Sequence, residues 1–253
     1  MRTIITLTTD FGLKDHYVGS MKGVLYSINR NIDIVDISHD LDSYDIKSAA
    51  FLINQEYKYY PKNTIHLVVI DPGVGSERKP LLVCSNNQYF IGPDNGVFSY
   101  ILKSSNDTEI YEINNNKYFL NEVSSTFHGR DIFAPVASHL SLGIKPGEIG
   151  EIYNSPVNLD IEDCIESGNT IKGRFIYSDK FGNLITNIPS ALVKNNAEII
   201  VGNIIIQGIS NSFSSVKEDE LLAIKGSSGY IEISVNMGSA KEKIYDDYIK
   251  IRN

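Results

Sequence analysis

The sequence predicts an α/β fold, with an N-terminal α/β domain on a mostly parallel central sheet and a small C-terminal β-barrel domain. Three observations predict it. Apolar strand-like runs alternate with segments of helical period through the first half. From about Asn154 onward only short strand signals and turns remain. The 253 residues, 42% of them hydrophobic, suit one large domain or a large and a small one.

The elements follow in order. Ile4–Thr8 reads as a buried strand within the β-rich run 1–9. His16–Ile28 reads as a helix, because Val18, Met21, Val24, Leu25 and Ile28 recur at helical spacing. Ile32–Ile37 is strand-like. Ile46–Tyr57 gathers Ile46, Ala49, Ala50 and Ile53 on one face of a second helix, and Thr64–Ile70 is a nearly continuous apolar strand. This alternation is that of βαβ units under a sheet covered on both faces. Leu81–Ser85 and Gln88–Ile91 form a hairpin across Asn86-Asn87, and Val97–Lys103 a short helix. Asp131–Leu142 has helical period, with Pro135 expected to start or kink it. Asn154-Ser155-Pro156 reads as a linker. The domains are expected over 1–157 and 165–253, the second holding strands at Thr170–Tyr177, Ile199–Ile206, Leu221–Ile224 and Tyr230–Val235.

Composition narrows the function. A formal net charge of −8 argues against non-specific nucleic-acid binding, which needs a basic surface. No run approaches the apolar length of a membrane span, and residues 1–9 lack the pattern of a signal peptide. Cys84 and Cys164 form no C-x-x-C pair, which fits a reducing compartment. The expectation is a soluble, cytoplasmic protein.

Four segments place polar residues where strands end, where open α/β sheets bind ligands. In Thr8-Thr9-Asp10-Phe11-Gly12, Asp10 suits a ribose diol or a turn. In Asp71-Pro72-Gly73-Val74-Gly75, Pro and Gly build a tight loop, and Arg78 can fold back on Asp71 as functional group or plain ion pair. His128, before Gly129, is a base or a satisfied structural histidine. Ser178–Asn183 combines an acid, an aromatic ring and an amide, suited to a purine or to a β-turn. Asp94-Asn95-Gly96 reads as a turn, and His39 and His66 as locally satisfied. Asp10, Asp15, His16, Asp71 and His128 could cluster, but no tight metal-ligand spacing is present, so no metal is expected.

Taken in order, these segments resemble one family over essentially the full chain. The carrying motifs are Thr8–Gly12, Asp15 through Lys22-Gly23, Asp36-Ile37-Ser38-His39, Asp71–Gly75 with Arg78, and Pro93–Gly96. They continue with Phe127–Pro135, Asp179 with Phe181-Gly182-Asn183, and Ser227-Ser228-Gly229 leading to Asn236. The family comprises the SAM hydroxide adenosyltransferases, adenosine-forming hydrolases of S-adenosyl-L-methionine (SAM) related to fluorinase and chlorinase.

The resemblance implies a homotrimer with the site between the N-terminal domain of one subunit and the C-terminal domain of the next. It also implies residue roles. Asp71, Arg78 and His128 match the water-activating triad, and Asp10 the ribose-diol carboxylate. Asp15, Asp179 and Ser227 match the methionine end. Tyr44 matches an aromatic near the ribose, and Phe181, Asn183 and Asn236 the adenine end. No cofactor is implied beyond SAM as substrate. Gly226 departs from an Asn common in relatives, and Ser228 from an Arg of the halogenases. The halogenases carry Tyr in place of Asp71, lack His128, and fluorinase adds an insertion after the 71–75 loop. Each difference favours water over halide as nucleophile. A chlorinase-like halogenase, a non-catalytic SAM or adenosine binder, and a metal-dependent phosphohydrolase are the competing readings.

Overall fold

The computed structural model describes residues 2–105 and 107–253, so the Met1 end of the run over 1–9 lies outside the described residues. The chain divides into two compact units, the first ending at Asp160 and the second running Ile161–Asn253.

The first unit holds strands β1 (Thr3–Thr9), β2 (Ile32–Ser38), β3 (Ile65–Val69), β4 (Pro80–Ser85), β5 (Gln88–Pro93), β6 (Glu109–Ile113) and β7 (Gly150–Ile152). Its helices are α1 (Tyr17–Ile28), α2 (Ile46–Glu56), α3 (Ser99–Ser104), α4 (Ala134–Ser141) and the single turn α5 (Pro146–Ile149). The strands form one sheet in the order β2-β1-β3-β5-β4-β6-β7. Pairs β1–β2, β1–β3 and β3–β5 are parallel, and the pairs of β4 with β5, β4 with β6 and β6 with β7 are antiparallel. Hence β1, β2, β3, β5 and β6 run one way and β4 and β7 the other.

Successive strand side chains point to opposite faces, and the core shows it. Leu67 and Val69 pack with Met21 and Leu25 of α1 and Ala134 and Ala137 of α4. Val68 and Ile70 pack on the other face with Ala49 and Ile53 of α2 and Ile101 of α3. A strand buried on both faces is mostly apolar, and in β3 only His66, itself wholly buried, interrupts the apolar run. Asp45 caps α2 by accepting the Ser48 N–H at 3.0 Å. A π-helical turn, Gly129–Phe133, precedes α4, whose first turn holds Pro135 where its missing N–H costs nothing.

The second unit is all β: β8 (Ile165–Ser167), β9 (Thr170–Ser178), β10 (Leu184–Pro189), β11 (Glu198–Val201), β12 (Ile204–Gln207), β13 (Leu221–Lys225), β14 (Tyr230–Val235) and β15 (Tyr248–Arg252). The order is β12-β11-β15-β9-β10-β14-β13, with β8 added to β9, and every pair is antiparallel. Beyond β12, Ser210 donates its N–H to Ala223 O on β13 at 2.8 Å, which brings the two ends of the sheet together into a nearly closed barrel. Ile188, Ile199, Ala223, Ile231, Ile233 and Ile251 fill it.

The run Ile199–Ile206, expected as one strand, is a hairpin. Gly202 has φ +54°, and a side chain there would start 2.2 Å from Asp246 Oδ2, so the chain reverses at Gly202-Asn203. None of the helices among the described residues is long and apolar enough to cross a membrane.

Candidate active site

Parallel pairing of β1 and β3 sets Thr9 opposite Val69. Asp10 and Asp71 therefore leave neighbouring strands at the same, carboxyl-terminal edge of the sheet. After Asp71 the chain turns tightly: Val74 N–H donates to Asp71 O at 3.3 Å and Ser76 N–H to Gly73 O at 3.1 Å. That turn returns Arg78 to Asp71. The guanidinium grips the carboxylate with both arms, Nε to Oδ1 at 2.9 Å and Nη2 to Oδ2. Both side chains are largely enclosed, 9% and 5% exposed, so the pair is far less screened than a surface ion pair.

A second segment meets this loop. At Gly75, φ is +77° and a side chain would begin 2.2 Å from the backbone oxygen of Ser125, so only glycine lets the two loops close. The 124–128 segment is anchored from below by Asp131. Wholly buried, Asp131 accepts the Ser124 N–H at 2.9 Å and Arg130 Nε at 2.6 Å. Gly129, against Met21 and Val69, starts the π-helical turn and sets His128 over the Asp71–Arg78 pair. Arg78 Nη2 lies 2.8 Å from His128 Nδ1, and the guanidinium stacks over Phe133 at 5.3 Å.

That contact fixes the tautomer. Guanidinium nitrogens only donate, so Nδ1 accepts and the ring proton sits on Nε2. Burial, then the charge of Arg78, hold the His128 imidazole below its ordinary pKa, while Asp71 and Asp131 pull the other way. The ring is therefore neutral near pH 7, with an Nε2–H to donate.

The remaining expected residues fall into separate groups. Asp10 Oδ2 accepts the backbone N–H of Tyr44 at 2.8 Å, which leaves the Tyr44 ring 68% exposed at a left-handed φ of +69°. Asp15 is exposed ahead of α1. Beside it a cleft of about 290 Å³ is walled by Phe11, Tyr17, Phe127 and Arg130, among others.

In the second unit, Asp179 organises its own turn. Its Oδ1 accepts the N–H groups of Phe181 and Asn183, both at 2.9 Å, and its Oδ2 the Asn183 amide at 2.8 Å. Asn183 is buried by this, and Phe181 is thrust outward, 77% exposed. Ser227 is exposed in the β13–β14 turn. Asn236 ties down the preceding loop, donating to Val216 O at 2.9 Å.

Asn95 emerges from the turn expected at 94–96. Its amide donates to Ile70 O at 2.8 Å, the carbonyl just before Asp71. In the sequence it is marked by turn propensity and by the Pro93–Gly96 motif, with no role attached. Among the described residues no three His, Cys, Asp or Glu side chains gather into a group that could hold a metal ion.

Residues 5–150 match the N-terminal domain of SAM hydroxide adenosyltransferases, and residues 173–245 match their C-terminal domain. A Methanocaldococcus jannaschii protein named (R)-S-adenosyl-L-methionine hydrolase is 34% identical, covering 97% of this chain and 93% of its own. One of the same name from Thermus thermophilus is 32% identical, covering 96% of each. A fluorinase from Actinoplanes is more distant, at 24% over 73% of this chain and 71% of its own. The crystal structure of an uncharacterized conserved protein from Thermotoga maritima superposes with a TM-score of 0.92 at 35% identity, covering 98% of this chain and all of that one. The chain belongs to the SAM hydroxide adenosyltransferase family.

Proposed function

We propose that this chain hydrolyses S-adenosyl-L-methionine to adenosine and L-methionine, with water attacking C5′ of the ribose. The observation that carries the reading is the Arg78 guanidinium, which clamps Asp71 with two hydrogen bonds and donates a third to His128. The names carried by full-length relatives support the same chemistry.

The electrophilic carbon already bears a sulfonium, which leaves as a neutral thioether, so no acid is needed for departure. The demand is for a nucleophile. The water oxygen forms a bond to C5′, the C5′–S bond breaks with its electron pair going to sulfur, and one water proton must find an acceptor. His128 Nδ1 is taken by Arg78 and Nε2 carries a proton, so the imidazole orients the water by donating to its oxygen. Asp71 is then the acceptor, because each carboxylate oxygen keeps a lone pair beyond the one given to Arg78. The guanidinium favours the developing hydroxide by charge. Proton acceptance by a positioned group contributes about 10²–10⁴-fold, and holding water in line with the C5′–S bond adds more.

In this reading Asp10 accepts the ribose hydroxyls and Tyr44 lies along the sugar. Asp15, Asp179 and Ser227 hold the amino-acid end, and Phe181, Asn183 and Asn236 the adenine. The site is completed in a homotrimer, between the first unit of one subunit and the second unit of the next. The exposure of Tyr44 and Phe181 on their separate units supports such a shared site. The reaction as drawn uses no cofactor.

The test is turnover of SAM in ¹⁸O-water with excess chloride present. The expected products are methionine and adenosine labelled at the 5′-oxygen, unaffected by EDTA. Unlabelled adenosine, or 5′-chloro-5′-deoxyadenosine, would refute the reading.

A further inference from the structure

Behind Asp10 lies a chain of polar groups that takes no part in the proton transfer. Lys22, on α1, places Nζ 2.6 Å from Asp36 Oδ2. Asp36, on β2, faces back with Oδ1 3.1 Å from Nε2 of His39, close in distance but poorly aligned for a full hydrogen bond. The His39 side chain is only 4% exposed. Its Nδ1 lies 2.8 Å from Thr9 Oγ1, and Thr9, itself wholly buried, accepts the Phe11 N–H at 3.3 Å. The His39 carbonyl accepts the Gly12 N–H at 2.7 Å.

The polarity of this chain follows from its charged end. Partial burial raises the Asp36 pKa, yet Lys22 and His39 outweigh it and hold the carboxylate below its usual range, and an anion 3.1 Å away favours the proton on His39 Nε2. Nδ1 is then an acceptor and takes the Thr9 hydroxyl proton, which leaves a Thr9 lone pair for Phe11 N–H. Asp10 sits between the two residues so fixed, Thr9 and Phe11, and Gly12 is held by the same histidine's backbone.

We propose that His39 is a positioning residue for substrate binding. Through Thr9 and Gly12 it holds the Thr9–Gly12 turn so that Asp10 is set in advance for the ribose hydroxyls. The proposal rests on the reading of Asp10 as the ribose carboxylate. Preset groups bind more tightly because no ordering cost falls on the binding step. Since His39 lies outside the Asp71–Arg78–His128 cluster, its loss acts on affinity and spares the chemical step.

The test is steady-state kinetics with SAM and adenosine binding for His39→Leu, His39→Asn, Thr9→Val, Asp10→Ala and the double variant Asp10→Ala/His39→Leu, each with a thermal melt. Asn carries an acceptor near the position of Nδ1. His39→Leu and Thr9→Val are expected to raise KM for SAM and Kd for adenosine about tenfold, the equivalent of about 1.4 kcal/mol. Their kcat should stay within about threefold, less than 1 kcal/mol of barrier. His39→Asn should restore most of the affinity. In the Asp10→Ala background His39→Leu should cost nothing further, because a residue acting only through Asp10 has nothing left to hold. An undiminished extra loss in that background, a fall in kcat matching the rise in KM, or unchanged affinity in both His39→Leu and Thr9→Val would overturn the proposal while the ribose assignment stands. Unchanged affinity in Asp10→Ala would remove both together.

Discussion

The guanidinium of Arg78 places one Nη2 proton on Asp71 and the other on Nδ1 of His128, and in the proposed mechanism that division leaves Asp71 to take the proton from water. Asp71 and His128 are equally plausible bases in the sequence. Once Nδ1 accepts from Arg78, the neutral ring has only a donor to offer. A pH dependence follows with a definite sign. The His128 pKa is depressed in the fold, so the working neutral ring persists as pH falls below about 6.5, the unperturbed imidazole value. Below its own lowered pKa the ring gains a proton on Nδ1, which faces the guanidinium and breaks the contact. The kcat/KM profile is therefore expected to fall on the acid side below about pH 6.5, and His128→Asn, which cannot titrate, to lose that limb at a rate reduced by about a hundredfold. An acid limb unchanged in His128→Asn would assign the titration to another group. The pairing of Asp71 with Arg78 was open to sequence reasoning, because Pro72 and the glycines between them form a turn. The contact with His128, 50 residues further on, was implied only by the family resemblance, since spacing says nothing about which loops meet.

At the scale of elements, the site is two loops closed on each other at Gly75 and Ser125. Gly75→Ala puts a methyl into the Ser125 carbonyl at a backbone angle that alanine resists. The expected cost is about 1–3 kcal/mol of stability, as for overpacking elsewhere, and a drop in kcat larger than any change in SAM affinity. A thermal melt and kinetics check both, and a variant with native Tm and turnover would show that the loops do not depend on this contact. The strands feeding these loops were legible because burial on two faces favours nearly continuous apolar runs such as Thr64–Ile70. Others were not. Leu184–Pro189 contains Thr186 and Asn187, which break the alternation yet are buried. Thr186 donates to Ile231 O at 2.8 Å and Asn187 accepts the Arg174 N–H at 2.8 Å, so tertiary hydrogen bonds supply what periodicity lacks. Ile199–Ile206 hid a hairpin because its turn is only two residues long.

For the whole molecule, the proposed function gives each of the two units its own share of the substrate. The first unit carries the groups that would activate water and accept the ribose, on loops held by a sheet packed on both faces. The barrel carries an exposed aromatic and a self-braced acidic turn that suit the adenine and amino-acid ends. The net charge of −8 places no obstacle before a cationic sulfonium substrate. The proposed mechanism needs Asp71 to accept the proton of an attacking water, and two measurements on one variant probe that step: SAM affinity by calorimetry and single-turnover rate for Asp71→Asn. The expected result is an affinity within about threefold of the parent with a rate lower by about 10²–10⁴-fold. An undiminished rate, or a loss of affinity as large as the loss of rate, would contradict it.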